Sequence, residues 1–336
     1  MTPTAEPCPS ERPSVADLVA AMHVVSVPMR VRFRGVTRRE VAVLHGPAGW
    51  GEFGPFLEYA PVEAARWLAA AVEAAWEGPP PALRNRVPVN ATVPAVGPER
   101  VGEVLDRFPG ATTVKVKVAE SGEGLADDLD RVAAVRAHLG RDGLIRVDAN
   151  GGWDVEQARD ALRRLSAYGL EYAEQPCASV EELAGLRRAL ARDGTEVPVA
   201  ADESIRRAED PLRVRDLEAA DVVVVKVAPL GGVRAALRIV QECGLPAVVS
   251  SALETSVGIA AGVALAAALP DLPYACGLGT VALLDGDVSA DPLLPSAGGL
   301  PVRPVTVDPE LLQRFAVPGD RRRWWADRVE ASAAYL

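Results

Sequence analysis

The feature that most constrains this chain is a repeat. Eight short β-rich runs, each followed by a helical stretch, recur at roughly 24 to 31 residues, the length of one strand-plus-helix unit. The runs are Val87 to Thr92, Thr113 to Val118, Leu144 to Asp148, Glu171 to Glu174, Val197 to Ala201, Asp221 to Val227, Ala247 to Ser251 and Tyr274 to Gly277. Between them, stretches such as Leu125 to Leu139 and Val155 to Tyr168 carry apolar residues at helical spacing. Eight such units predict a closed (β/α)-barrel. The rival, an open doubly wound sheet, usually has fewer strands and leaves two edges to cover.

Ahead of the repeat, Val24 to Val43 reads as antiparallel strands in which Arg30, Arg32 and Arg34 alternate with apolar residues and face water. A Gly-rich loop from Gly46 to Gly54 follows, and Val62 to Trp76 has helical periodicity. The prolines at Pro79 to Pro81 then break the chain. The reading is a smaller N-terminal α+β capping domain over residues 1–86, a barrel over 87–300, and a segment over 301–336 that returns to pack on the cap. That last segment ends in the helical stretch Arg321 to Leu336, with Trp324 and Trp325 expected against the first domain. Met1 to Pro13, rich in proline, reads as a disordered lead.

Several function classes drop out on composition. The 336 residues hold 36 Lys and Arg against 46 Asp and Glu, a formal charge of -10, which argues against a nucleic-acid partner and leaves a small anionic substrate in need of locally placed cations. The apolar stretch from Ile259 to Leu269 is about half the roughly 20 residues of a membrane span, so it reads as a buried helix and no membrane partner is expected. With no signal-peptide pattern at the start, the expected compartment is the cytoplasm. Cys8, Cys177, Cys243 and Cys276 are scattered without a CxxC pair and read as reduced and structural. The oligomeric state is left open, a monomer included.

The chemistry sits at the ends of the runs. Residues two apart on a strand share a face, so Lys115 and Lys117 point one way while Val114, Val116 and Val118 point the other. In a barrel the valines meet the helices and both lysines aim inward. On the third run Arg146, Asp148 and Asn150 share a face, the fourth ends at Glu174-Gln175-Pro176, and the fifth leads into Asp202-Glu203-Ser204. Three successive strands thus deliver one acid each at the end where barrel enzymes build their sites. Alone, each acid could cap a helix; together they would repel unless a cation lay between them. An all-oxygen set suits Mg²⁺ and not zinc. The sixth run adds Lys226, across the ring from Lys117. Two amines facing a carboxylate-binding cation suit removal of a weakly acidic α-proton. A lysine acting as base has to be neutral, and a second ammonium group beside it favours that form.

Lys115-x-Lys117, Asp148-x-Asn150, Glu174-Gln175-Pro176, Asp202-Glu203-Ser204 and Lys226, in this order and spacing, resemble the enolase superfamily and its muconate-cycloisomerase-like branch. The resemblance covers nearly the whole chain, including Gly49-Trp50-Gly51-Glu52 in the cap. The racemases that use a late-strand His base fit less well, because His23, His45 and His138 are the only histidines and none lies on a late strand. Pro28-Met29-Arg30, the stretch Val87 to Pro94, and Ser250-Ser251 through Gly258 are similar to the o-succinylbenzoate synthases of that branch. The resemblance implies Mg²⁺, with Mn²⁺ able to substitute, held by Asp148, Glu174 and Asp202. It implies Lys117 as the base that also protonates the departing hydroxyl in a syn dehydration, Lys226 as the cation on the opposite ring face, and Lys115 beside them. Substrate contacts would come from Arg146, Ser251 and Gly277, with Asn150 and Glu203 supporting the ligands. Racemisation of N-succinylamino acids or epimerisation of dipeptides would use the same lysines and is the alternative; a barrel kept only for binding is a more distant one. The cap loop Gly51 to Tyr59 is the candidate cover for the site.

Overall fold

Alternating valines build the first sheet. In the computed structural model, which describes residues 12–33, 35–206 and 212–336, strands β1 (Met22–Phe33), β2 (Val36–Gly46) and β3 (Gly49–Phe53) form an antiparallel meander in that order. Residues 1–11 with Cys8, and Arg34, lie outside the described residues, as do 207–211. Val25, Val27, Val41 and Val43 line one face with Leu284, Val288 and Phe315, while Val24, Ala42, Leu44 and Phe53 line the other with Trp67 and Leu68. Both faces are therefore covered, one by the helix Pro61–Val72 and one by chain that follows the barrel. The helix backbone lies directly on the sheet: a Cβ on Gly51 would stand 2.0 Å from the Ala71 carbonyl oxygen. Only glycine permits that approach.

Seven parallel strands follow: β5 (Ala91–Val93), β6 (Thr113–Lys117), β7 (Leu144–Asp148), β8 (Leu170–Glu174), β9 (Val199–Ala201), β10 (Val222–Val225) and β11 (Ala247–Val249), paired in sequence order. The ring is closed by residues 276 and 277. Cys276 bridges Val89 on one side and Gly277 bridges Ser250 on the other, both parallel, with Cys276 N donating to Pro88 O at 2.8 Å and Gly277 N to Val249 O at 2.8 Å. This is the barrel expected, with a smaller α+β unit beside it. The run Val87 to Thr92 splits: β4 (Arg86–Pro88) pairs antiparallel with β12 (Gly299–Pro301), and only β5 joins the ring.

Helices between the strands begin where the caps say they should. Asp154 accepts from Gln157 N and Ser179 from Glu182 N, each closing a reciprocal capping box ahead of Val155–Leu165 and Val180–Asp193. Their apolar stripes, such as Ala158, Ala161, Leu162 and Leu165, are buried against the barrel, each large side chain contributing roughly 1.5–3 kcal/mol. The Ala-rich stretch is the 13-residue helix Ser256–Ala268, buried along most of its length. Among the described residues no helix is long and apolar enough to cross a membrane.

After β12 the chain returns to the meander. Val317 N donates to Val24 O at 3.2 Å, and Trp325, fully buried in the helix Gly319–Ala333, donates through Nε1 to Glu40 at 3.1 Å and meets Phe53 edge-on at 5.8 Å.

Candidate active site

Parallel pairing puts the ends of β6, β7 and β8 level. Lys117 is in register with Asp148, and Asp148 with Glu174; Asp202 follows β9 by one residue. A cavity of about 440 Å³ opens at this end of the ring, and Lys115, Lys117, Asp148, Asn150, Lys226, Ser251 and Gly277 are among the residues that line it. Lys117 ends β6 and Lys226 follows β10 by one residue, and these strands are four places apart in a ring of eight, hence on facing walls.

The chain strains where it leaves these strands. Ala119, Asn150, Gln175 and Leu253, all non-glycine, hold φ of 58°, 47°, 39° and 64°, in the left-handed region that such residues rarely adopt. Each lies just beyond a barrel strand, at the rim where the cavity is. Clusters of this kind typically mark functional sites, at about 1–3 kcal/mol per residue.

Charges inside are matched one to one. Asp148, Glu174 and Asp202 are each 1% exposed, and Lys115 and Lys226 6% and 8%. Lys117 Nζ lies 2.5 Å from Asp148 Oδ2, Lys115 Nζ 2.6 Å from Glu174 Oε1 and 3.1 Å from Asp148 Oδ2, and Lys226 Nζ 2.5 Å from Asp202 Oδ2. Burial works against a charged Lys115, but Glu174 and Asp148 outweigh it and hold the ammonium well above its ordinary range. Burial likewise opposes ionised Asp148, and Lys117 and Lys115 overcome it, pulling the carboxyl well below the usual range. Glu174 goes the other way: burial first, then the neighbouring Asp148, push it up to about 7. So much buried negative charge demands positive charge.

As the side chains stand, no three His, Cys, Asp or Glu among the described residues are arranged to hold a metal ion, because amines take the carboxylate oxygens. The donor chemistry nonetheless suits a hard cation: three buried carboxylates on consecutive strands, with neither thiolate nor imidazole among them.

The other anticipated residues divide. Asn150 accepts from Lys117 at 2.5 Å and donates to Glu203 at 3.3 Å, linking both to the lysine. Ser251 and Gly277 are on the cavity wall; Ser251 shares a hydrogen bond with Thr280 at 2.8 Å, and a Cβ on Gly277 would come within 2.6 Å of Ser250 Oγ. Arg146 is elsewhere. It is 0% exposed, away from the cavity lining, tied to Glu171 at 2.5 Å, Asn90 at 3.1 Å and the Ala275 carbonyl at 2.6 Å, with its guanidinium 4.7 Å above the Tyr172 ring. That makes it a plug in the barrel floor.

Two contributors went unread in the sequence. Gln175 spans two strands: its Oε1 accepts from Asp202 N at 2.9 Å and Ser204 N at 3.2 Å, and its Nε2 donates to Ser204 Oγ at 2.8 Å and Cys177 O at 2.9 Å. It thereby fixes the backbone that carries Asp202. The β1–β2 turn also reaches the site, with Arg32, Phe33 and Gly35 on the cavity wall and the Phe33 ring 5.3 Å from Lys117 Nζ. Of the cap loop Gly51 to Tyr59, Phe56 lines the cavity.

The chain is similar to known proteins along most of its length. A family described as "Enolase C-terminal domain-like" matches residues 100–305, and one described as "Enolase N-terminal domain-like" matches 24–75. The chain is 58% identical over 325 residues to o-succinylbenzoate synthase of Mycobacterium leprae (strain TN), covering 96% of this chain and 95% of that one. It is 57% identical to the Mycobacterium tuberculosis (strain ATCC 25177 / H37Ra) protein of the same name, covering 96% and 97%. Among solved structures, muconate lactonizing enzyme from Pseudomonas putida superposes with a TM-score of 0.74 at 22% identity, covering 88% of this chain and 98% of that one, which speaks to the fold. With two enolase domains in order and more than half of its residues shared with these relatives, the chain belongs to the o-succinylbenzoate synthase family of the enolase superfamily.

Proposed function

We propose that this chain dehydrates 2-succinyl-6-hydroxy-2,4-cyclohexadiene-1-carboxylate to o-succinylbenzoate, a step of menaquinone synthesis, with Lys117 and Lys226 working from opposite sides of the ring. The observation that carries the reading is the pair of amines on facing strands with three buried carboxylates between them. Asp148, Glu174 and Asp202 would hold Mg²⁺, or Mn²⁺ in its place, once the lysines give up those oxygens. Such an ion supplies Lewis-acid binding of the substrate carboxylate and spreads the charge that gathers there when the α-proton leaves.

The rest is done by side chains. Neutral Lys117 takes the proton next to the carboxylate through Nζ, and the C–H electron pair moves toward that carboxylate. Lys115, two residues earlier on the same face of the strand, adds a positive charge beside Lys117. Lys117 then returns the proton to the hydroxyl on the same face, the C–O bond breaks, water departs and the ring becomes aromatic. Lys226, on the facing wall of the cavity, offsets charge on the other face. Asn150 orients Lys117, and Glu203 orients Asn150. Ser251 and Gly277 shape the wall against which the substrate lies.

The division into a cap over 1–86, a barrel over 87–300 and a returning segment over 301–336 goes with this reading, as does a cytoplasmic enzyme taking a small anionic molecule. Relatives at 57–58% identity favour dehydration over racemisation. An ultraviolet assay of the cyclohexadiene acid, run with and without Mg²⁺, tests the proposal. Aromatisation that depends on added metal is expected, and a chain that leaves the substrate unchanged with Mg²⁺ present refutes it.

A further inference from the structure

One wall of the cavity is the turn after β11, where Ser251, Ala252 and Leu253 face the interior. Leu253 holds its left-handed φ of 64° without glycine's freedom, so the turn needs outside support. That support comes from the meander. Arg39 on β2, 3% exposed, donates through Nε to the Leu253 carbonyl at 2.9 Å and through Nη2 to the Gly54 carbonyl, and its guanidinium lies 4.6 Å above the Phe56 ring. Glu52 on β3, 6% exposed, accepts through Oε2 from Thr255 Oγ1 at 2.6 Å and from the Thr255 and Gly258 amides at 3.1 Å each. Glu254 curls the turn on itself by accepting from Ala252 N at 2.6 Å.

Space is cleared for both. A Cβ on Gly258 would lie 2.5 Å from Glu254 Cβ and 3.1 Å from Glu52 Cδ, and one on Gly54 would lie 2.9 Å from Arg39 Nη2. Glycine at these two places lets the meander come close enough to grip the turn.

We propose that Arg39 and Glu52 are positioning residues of the reaction, setting from the meander the shape of the barrel turn that forms this wall of the substrate pocket. The proposal rests on the cavity being the substrate site. Neither side chain touches the reacting atoms; each acts through Leu253, Thr255 or Gly258. Because the wall faces the substrate without carrying either lysine, disturbing it acts on KM more than on kcat.

Hydrogen exchange and steady-state kinetics on the full chain test this together. In Arg39→Met and Glu52→Ala, amides of 252–258 exchange faster while those of β6 and β7 keep their protection, and KM rises about tenfold or more with kcat within about threefold. Glu52→Gln keeps KM within about twofold, because its amide oxygen can take the same three donors. Arg39→Lys falls between, since one ammonium nitrogen replaces the two separate nitrogens that reach the Leu253 and Gly54 carbonyls. Unchanged exchange at 252–258 in both disruptive variants overturns the proposal, as does KM near the wild-type value. Protection lost across the whole chain, in Arg39→Lys as well as Arg39→Met, also overturns it, by making these residues general supports of the fold. If the wild-type chain does not turn over the cyclohexadiene acid, the functional reading fails while the exchange data still decide about the turn.

Discussion

Glu52 makes folding sensitive to pH in a direction opposite to that of most carboxylates. Burial, then the nearby Glu254 carboxyl, push it up from 4.5 to about 8, while Thr255, Arg39 and Gly258 pull back only in part. Below pH 4.5 the group is neutral folded and unfolded, and contributes no penalty. As pH rises further the unfolded chain ionises first and the folded chain binds the extra proton, so stability falls until the folded group ionises near pH 8. At about 1.36 kcal/mol per pH unit, the loss is about 1 kcal/mol at pH 5, about 3 at pH 7 and levels off near 5, as an upper bound. Glu52→Gln mimics the protonated acid, because Oε2 accepts the close hydrogen bonds and Oε1 only a 3.4 Å one, leaving that side free for the amide nitrogen. Urea unfolding at pH 5, 7 and 9 should therefore show the variant gaining on the wild type by about 3–4 kcal/mol across the range. Parallel stability curves for the two proteins would refute the argument.

Lys117→Ala should lower dehydration by at least about 10²–10⁴-fold with circular dichroism unchanged; activity within roughly tenfold of wild type would contradict its role as base. Gln175→Leu removes the clamp on the backbone before Asp202 and should weaken Mg²⁺ binding by about 10–100-fold, read by calorimetric titration, with Lys117 untouched. Arg32→Met takes an exposed cation from the cavity rim and should raise KM for the doubly charged substrate about tenfold with kcat nearly constant; an unchanged KM would show that the rim arginine does not meet the substrate.

Much of the site was legible because strand alternation and strand period are local properties. The Lys115, Lys117 pair could be placed inward once the acids of the next strands were read beside it, since its valines alone fit either face, and the run lengths put Asp148 and Glu174 at neighbouring strand ends, where they stand in register. What the sequence hides is contact between distant segments. Arg39 and Leu253 are 214 residues apart, and nothing in either stretch announces the other. The β1–β2 turn reads as a solvated hairpin with arginines facing water, and only the packing of the meander over the barrel mouth turns Arg32 and Phe33 toward the cavity. Gln175 lay inside a recognised motif, yet its two-strand clamp depends on the neighbouring chain at Asp202 and Ser204.

Arg146 shows a different limit. A period of two assigns a side chain to a face of the sheet, but it says nothing about how deep along the barrel axis that side chain lies. Arg146 and Asp148 share the inward face, and two residues of rise separate them by about 6.6 Å. That distance is enough to move one from the mouth to the floor. There Nε and Nη1 of the guanidinium find Glu171, Asn90 and Ala275, and the ring faces of Tyr172 and Tyr274 lie beside it, while Nη2 is left without a hydrogen-bond partner among the described residues. Depth follows from where each strand ends: β7 ends at Asp148, so the acid is at the rim and the arginine one layer below. Lys115 stands in register with Arg146 and still lines the cavity, because its amine meets Glu174 and Asp148 whereas the Arg146 guanidinium turns to Glu171, Asn90 and Ala275.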